Sequence, residues 1–225
     1  MCSRTQAAEW IRAGRVSVDG RVVRDPEFPT IAGKHRIAVD GRDLEAAPER
    51  VYLMLNKPRG LVTSARDEQG RDTVYRCFDG AGLPWIAPVG RLDKASEGLL
   101  LFSNDPAWSA HIADPATGPD KTYHVQVDRI PDQALLVALK AGIVDSGEFL
   151  RAKSATLLRA GERNAWLEIV LDAGRNRQIR RMLAAQDIGV LRLIRVSIGS
   201  LALGELAKGA WRPLTRAEVD AFAPP

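Results

Sequence analysis

Apolar residues recur with two distinct periods along the second part of the chain, and the periods predict a mixture of strands and helices. Alternate apolar positions over 167–171 are typical of a strand with one buried face, whereas apolar residues at helical spacing predict a helix over 178–185. The same reasoning predicts strands at Val51–Leu55, Gly98–Phe102, Tyr123–Val127 and Leu191–Val196, and helices that begin near Pro106, Pro131 and Thr215. Since strands and helices do not alternate strictly, we predict an α+β fold, with a mixed, largely antiparallel sheet and flanking helices.

The first 45 residues have a different pattern, which predicts a small α/β module. Ser3 is placed to cap a short helix that ends at Gly14. Two tight hairpins follow, and their turns are Asp19-Gly20 and Asp40-Gly41, each between short runs of alternating residues.

Length and composition are consistent with two units in a globular protein. A linker at Ala46–Glu49 separates residues 1–45 from a larger domain over 50–225. The hydrophobic content of 45% and the charged content of 27% exclude wholesale disorder. Apolar runs are too short for a membrane span, and the N-terminus has no secretory signal. Cys2 and Cys77 form no disulfide framework, so we expect a cytoplasmic protein.

Positive charge is concentrated in one segment, although the net charge of the chain is only +4. Residues 174–195 contain one acid, Asp187, and the following arginines: Arg175, Arg177, Arg180, Arg181, Arg192 and Arg195. Gly174 and the start of the predicted helix favour a close approach of phosphate. The segment therefore indicates a phosphate-bearing partner, and the alternative is a solvated, salt-bridged helix face.

A loop that leads into the buried strand Gly98–Phe102 contains a basic and an acidic residue two positions apart. Arg91 and Asp93 share one side if this segment is extended. An adjacent arginine lowers the pKa of an aspartate and keeps it ionised, as a nucleophile requires. The alternative is a surface turn with an incidental ion pair.

Tyr123 begins a predicted strand, where tyrosine either caps the core or offers a flat ring for base stacking and a hydroxyl for proton transfer. The histidines His35, His111 and His124 lack the spacing of metal ligands. A glycine-rich nucleotide fingerprint is also missing from the sequence. We therefore expect carboxylate chemistry without a metal or a cofactor.

Several of these segments resemble the motifs of pseudouridine synthases, in the same order. The segment Gly90-Arg91-Leu92-Asp93, followed by Gly98–Leu101, resembles the motif of the catalytic aspartate. Four further segments are similar to the first motif, the tyrosine motif, the third motif and a C-terminal signature of the branch that acts on small- and large-subunit ribosomal RNA: Leu55–Gly60, Lys121–Tyr123, Gly174–Met182 and Gly209–Leu214. The resemblance covers roughly residues 50 to 220 and implies a sheet with a central RNA-binding cleft.

The resemblance implies a role for each candidate residue. Asp93 is the essential carboxylate, as nucleophile or as base, and Arg91 orients and ionises it or touches the backbone of the flipped nucleotide. Tyr123 stacks on the target base and transfers a proton. Leu171 lines the pocket or is a plain core residue. The residues implied to contact RNA phosphates are Lys57, Arg175, Arg177, Arg180 and Arg181.

The implied reaction isomerises a uridine of ribosomal RNA, with large-subunit RNA favoured, in a monomeric cytoplasmic enzyme. The bond from the sugar to N1 breaks, the uracil turns, and a bond to C5 forms, so neither a cofactor nor a metal is needed. Two alternatives are a non-catalytic RNA-binding factor of ribosome assembly and a synthase that acts on tRNA or another structured RNA.

The N-terminal module resembles the S4-type RNA-binding domain. The likeness rests on Cys2-Ser3-Arg4, Gly14-Arg15-Val16 and Val18-Asp19-Gly20. That domain normally has one more helix before the position of Cys2. We therefore expect that in-frame coding sequence upstream of Met1 encodes a basic, leucine-containing helix.

Overall fold

A computed structural model describes residues 4–31, 33–44, 49–65, 67 and 69–223. The chain divides into two compact units, 1–49 together with 83–85, and 50–82 together with 86–225. The division falls beside the predicted linker, most of which lies outside the described residues, as does Ser3. The sequence pattern does not predict that Leu83–Trp85 groups with the first unit.

The first unit is one helix and four short strands. Its elements are α1 (Arg4–Arg12), β1 (Val16–Val18), β2 (Arg21–Val23), β3 (Ile37–Val39) and β4 (Arg42–Asp43). The strands form an antiparallel sheet in the order β2-β1-β3-β4. Both hairpins are confirmed, and Asp19 and Gly20 adopt φ values of 50° and 81°, as the tight turn between twisted strands requires.

The second unit is built on a large mixed sheet. Its strands are β5 (Tyr52–Lys57), β6 (Ala87–Val89), β7 (Glu97–Ser103), β8 (Lys121–Val127), β9 (Ile143–Asp145), β10 (Glu148–Leu150), β11 (Ser154–Ala160), β12 (Ala165–Leu171), β13 (Val190–Ile198), β14 (Leu201–Ala202) and β15 (Trp211–Pro213). The main order is β11-β12-β8-β13-β7-β5-β15, with β14 beside β13 and β6 beside β7, while β9 and β10 form a separate hairpin. Among the described strands, only β7 and β13 pair in parallel, which confirms the predicted mixed, largely antiparallel sheet.

Two helices of this unit, those near Pro106 and Thr215, begin where the sequence predicts. They are α2 (Pro106–Ala113), α3 (Gln133–Ala141), α4 (Gln178–Ala184) and α5 (Arg216–Asp220), with a 3₁₀ helix at Val74–Phe78. The Asp105 carboxylate accepts backbone N–H bonds at the start of α2, and Asp132 does the same for α3. Thr215 and Glu218 form the reciprocal capping box of α5. Because Asp132 is the cap, α3 begins two residues after Pro131.

Strand β7 lies inside the sheet and is buried over its whole length. Its Leu99 and Leu101 pack in one cluster with Trp108 and Ile112 of α2. At Gly98 the parallel neighbour β13 comes so close that a Cβ atom there would lie 2.3 Å from the carbonyl oxygen of Arg195. This close approach places the loop before β7 directly beside β13.

Candidate active site

A pocket of about 440 Å³ lies on one face of the large sheet. Its walls come from the loop before β7, from strands β8, β12 and β13, and from the start of α4. Asp93, Tyr123, Leu171 and Arg177 all line it, so the fold brings together candidates that are up to 84 residues apart. The volume lies in the range of roughly 300–1,000 Å³ that is typical of small-molecule sites.

Asp93 is partly buried in this pocket and hydrogen-bonded through both carboxylate oxygens. Ser96 Oγ donates to Oδ1 at 2.6 Å, while Arg177 Nη1 and Arg180 Nε donate to Oδ2 at 3.1 and 3.3 Å. Burial by itself raises the pKa of Asp93, but the Ser96 bond and the charges of Arg180 and Arg177 outweigh it, so the pKa lies below its ordinary value. The carboxylate is therefore ionised at neutral pH.

The structure does not show the ion pair between Arg91 and Asp93 that the sequence predicts. Arg91 lines the same pocket, but its side chain is exposed and makes no ion pair with Asp93 in the described residues. The carboxylate is bound instead by Ser96, Arg177 and Arg180. The contact of Arg91 with the backbone of a bound nucleotide stays a prediction.

Lys57 does not reach phosphate, which corrects a second expectation. The side chain is fully buried, because Lys57 pairs with Gly98 inside the sheet. Its Nζ donates to the carbonyl oxygens of Pro58, Asp93 and Ser96 at 3.2, 3.2 and 2.8 Å. Burial lowers the pKa of Lys57 to about 8, against the opposing charges of Asp93 and Glu97. Lys57 thus stabilises the backbone of the Asp93 loop through these hydrogen bonds.

Further hydrogen bonds hold the backbone of this loop, and no pattern in the sequence predicts them. Thr63 Oγ1 donates to the carbonyl of Leu92 at 2.7 Å, and the N–H of Gly60 donates to the carbonyl of Lys94 at 2.8 Å. The segment that resembles the first motif therefore supports the Asp93 loop, and none of its residues lines the pocket.

Tyr123 and Leu171 form apolar walls of the pocket. Tyr123 lies in β8 between Ile169 of β12 and Arg195 of β13, and it is 8% exposed. Leu171 is 3% exposed at the end of β12. Both residues belong to the core and also line the pocket, so the two interpretations of each are compatible. Stacking of Tyr123 on a base stays a prediction.

The arginines at the start of α4 differ in exposure, although carboxylates bind all four of them. Arg175 is bound by Glu148 and Arg177 by Asp93, and each keeps half of its side-chain surface exposed beside the pocket. Arg180 is bound by Asp93 and Arg181 by Asp145 and Glu148, and their side chains are only 15% and 23% exposed. The salt-bridged alternative therefore describes Arg181. Contact of Arg180 and Arg181 with phosphate stays a prediction, which their low exposure disfavours.

The turn that leads into α4 is shaped by residues that the sequence analysis missed. Arg177 has a φ of 48°, an uncommon conformation for a residue with a side chain. Gln178, which is buried, accepts from the N–H of Arg175 at 3.1 Å and donates to the carbonyl of Arg151 at 2.8 Å. Glu148 joins Arg175 to Arg181 across the same turn. These contacts aim Arg177 at Asp93.

The described residues were also compared with the features of metal sites, membrane spans and reactive thiols. Within it, no three histidine, cysteine, aspartate or glutamate side chains cluster as metal ligands do. None of its helices is long and apolar enough to cross a bilayer. The Cys77 thiol is free, and burial raises its pKa.

Known proteins that are similar to this chain belong to the family that its motifs resemble. The profile of the RNA pseudouridylate synthase family matches residues 51–185, and that of the S4 domain matches residues 1–29. Ribosomal large subunit pseudouridine synthase B of Bacillus subtilis is 37% identical over 97% of this chain and 89% of that protein. Ribosomal small subunit pseudouridine synthase A of Pseudomonas aeruginosa is also 37% identical, over 96% of this chain and 93% of that protein.

A solved structure is similar over nearly the whole length. It is a crystal structure of a pseudouridylate synthase, with a TM-score of 0.71 and 32% identity, and the match covers 98% of this chain and 94% of that one. The predicted fold, the S4-type module and the predicted family are thereby confirmed. The chain is a member of the RNA pseudouridylate synthase family, an isomerase with an S4 domain at its N-terminus.

Proposed function

We propose that this protein converts a uridine of ribosomal RNA to pseudouridine, with Asp93 as its catalytic carboxylate. The observation that carries the proposal is the ionised Asp93, held by Ser96, Arg177 and Arg180 in a nucleotide-sized pocket beside Tyr123. Relatives named for the large and for the small ribosomal subunit are equally identical, which supports ribosomal RNA and leaves the subunit to experiment.

The chemistry needs only groups that this pocket has. Asp93 acts at the sugar, as nucleophile or base, while the bond between C1′ and N1 breaks. The uracil then turns, a bond forms between C1′ and C5, C5 loses a proton and N1 gains one. Atoms and oxidation state are conserved, so we propose a reaction without a cofactor or metal. The Tyr123 ring stacks on the base, and its hydroxyl is our candidate for proton transfer.

The target base has to leave its stack, at a cost of roughly a few kcal/mol. Arg175 and Arg177 are our candidates for the phosphate contacts that offset this cost, because both lie half exposed beside the pocket. One chain supplies Asp93, Tyr123 and both arginines, which supports a monomer as the active form. We place the reaction in the cytoplasm, where bacterial ribosomal RNA is modified.

Mapping pseudouridines in both ribosomal RNAs of a deletion strain tests the proposal. We expect one pseudouridine to disappear, to return with the wild-type gene, and to stay absent with Asp93→Asn. The RNA that contains this position identifies the subunit. An unchanged map in ribosomal RNA, with a lost pseudouridine in tRNA, would assign the enzyme to another substrate, and full activity of Asp93→Asn would overturn the role of the carboxylate.

A further inference from the structure

Arg195 is a buried cation in the pocket wall whose hydrogen-bonding capacity is mostly unused. The residue is 4% exposed, and it lines the same pocket as Asp93 and Tyr123. Within the described residues, the only side-chain hydrogen bond of Arg195 runs from Nε to the carbonyl of Leu99, at 2.7 Å. Its buried Nη2 has no partner. A buried donor without a partner is unfavourable, so the position of Arg195 in the pocket wall points to a ligand that accepts from it.

Lys121 also lines this pocket, in addition to the arginines. Lys121, at the start of β8, has no hydrogen bond or ion pair with any described carboxylate, and the neighbouring Asp120 is bound by Lys153 at 2.7 Å. Burial and the positive charge of Arg195 lower the pKa of Lys121, while the negative charges of Asp120, Asp114 and Asp172 raise it. Lys121 lies two residues before Tyr123 in β8, and Tyr123 pairs with Arg195 of β13, so both cations line the pocket from neighbouring strands. We call these two side chains the donor wall.

We propose that the donor wall of Arg195 and Lys121 binds the carbonyl oxygens of the target uracil and selects uridine over cytidine. This inference rests on the proposed function. A guanidinium and an ammonium carry only donors, so they bind a base edge that presents acceptors. The O2 and O4 atoms of uracil are both acceptors, whereas the exocyclic amino group of cytosine is a donor.

Depth in the pocket distinguishes a carbonyl from a phosphate as the ligand of Arg195. Arg195 is almost fully buried, while Arg175 and Arg177, the candidates for phosphate contacts, are half exposed at the pocket. A flipped nucleotide inserts its base and leaves its phosphates near the surface. The inner donor, Arg195, therefore meets the base, and Lys121 lines the same pocket.

The turn of the ring gives the donor wall a second property. When uracil rotates so that C5 takes the place of N1, O2 and O4 exchange positions. The donor wall therefore faces a carbonyl oxygen both before and after the rotation. Cleavage of the C1′–N1 bond leaves its electron pair on the base, and the charge spreads onto both oxygens. The pair at C5 then forms the new bond, C5 releases its proton and N1 takes one. Two fixed cations stabilise the anionic base between these steps.

The test measures single-turnover rates and RNA affinity for Arg195→Met, Arg195→Lys and Lys121→Met. The substrate is a fragment of the ribosomal RNA around the uridine mapped in the deletion strain. We expect Arg195→Met and Lys121→Met to lower the rate about 100-fold or more, with affinity for the uridine fragment within about tenfold of wild type, and Arg195→Lys to recover part of the rate. Lys140→Met, on the exposed side of α3, is the matched control and keeps the wild-type rate.

A binding measurement isolates base selection from catalysis. In the Asp93→Asn protein, we expect the fragment with uridine to bind about tenfold more tightly than the same fragment with cytidine. Lys121→Met in that background abolishes the preference. A merely structural role of Lys121 would not change the ratio of the two affinities.

The outcomes separate this inference from the proposed function. A wild-type protein that forms no pseudouridine in any ribosomal RNA contradicts the proposed function itself. An active wild type with Lys121→Met at full rate and an unchanged uridine preference overturns the donor wall, even if Arg195→Met fails to fold. Loss of RNA affinity in parallel with the rate also overturns it, because the wall would then bind phosphate.

Discussion

Arg180 lies with its Nε atom 3.3 Å from Oδ2 of Asp93, although 87 residues separate the two in the chain. The same guanidinium donates through Nη2 to the carbonyl of Ala95 at 3.3 Å. Arg180 therefore holds both the carboxylate and the backbone of its loop. We regard Arg180 as a positioning residue for Asp93 and not as a phosphate ligand.

Replacing Arg180 by methionine is expected to move the acid limb of the rate profile to higher pH. The charge of Arg180 helps to keep the pKa of Asp93 below its ordinary value, so its removal raises that pKa. A carboxylate that must be ionised loses activity as the pH falls through its pKa, and the loss then begins at a higher pH. Single-turnover rates between pH 4 and 8 measure the shift.

The matched control for this prediction is Arg216→Met, which breaks the exposed ion pair with Asp220. We expect its profile to coincide with that of the wild type. An acid limb that is unchanged in Arg180→Met would show that Arg180 does not set the ionisation of Asp93.

Asp93→Asn is expected to abolish pseudouridine formation while RNA binding is retained. The amide keeps the size of the side chain, but it supplies neither a nucleophile nor a base. Loss of the negative charge also releases Arg177 and Arg180, so the affinity for RNA should stay the same or increase. Filter binding and chemical mapping of pseudouridine check the two halves of the prediction. A variant that no longer binds RNA would contradict it.

Lys57→Met is expected to destabilise the fold by about 1–3 kcal/mol, because three carbonyl groups lose their donor. The pKa of Lys57 is about 8 in the folded state, below the usual value of 10.5, so the unfolded state binds more protons between these values. The contribution of this group to stability therefore rises with pH over that range. Urea denaturation at pH 7.5, 9 and 10 should show the stability gap to the variant widening.

Arg175→Ala and Arg177→Ala are expected to weaken RNA binding. Each phosphate contact that is lost reduces the slope of log affinity against log salt by about 1. Arg163→Ala, in the exposed turn between β11 and β12, is the control with the same change of charge. Affinities measured at several salt concentrations decide the matter, and unchanged slopes in both variants would remove these arginines from the RNA interface.

Gly98→Ala is expected to destabilise the protein far more than a glycine-to-alanine change in open space. The added Cβ would lie 2.3 Å from the carbonyl oxygen of Arg195, and the φ of 101° is itself unfavourable for alanine. Gly204→Ala is the matched control, because Gly204 also has a positive φ but no atom within 4 Å of such a Cβ. Thermal unfolding of both variants separates the clash from the backbone strain. Equal losses of stability would contradict the close approach of β7 and β13.

Local structure could be predicted from the residue types alone, because it depends on residues that are neighbours in the chain. The cap at Asp105, the capping box of Thr215 and Glu218, and the turn at Asp19-Gly20 all form as their residue types predict. The order of the motifs was enough to predict the family and to select Asp93 and Tyr123 as candidates for its site. These inferences needed no knowledge of which strands are neighbours.

Which charged side chains form ion pairs depends on contacts between segments that are far apart in the chain. Lys57 is buried because β5 pairs with β7 in the register that places it opposite Gly98, and no local pattern determines that register. Asp93 is paired with Arg177 and Arg180, not with Arg91, because the packing of α4 brings a distant segment to the loop. Coulomb energies and burial depend on distance in space, so the sequence could predict the residue types of the site but not their partners.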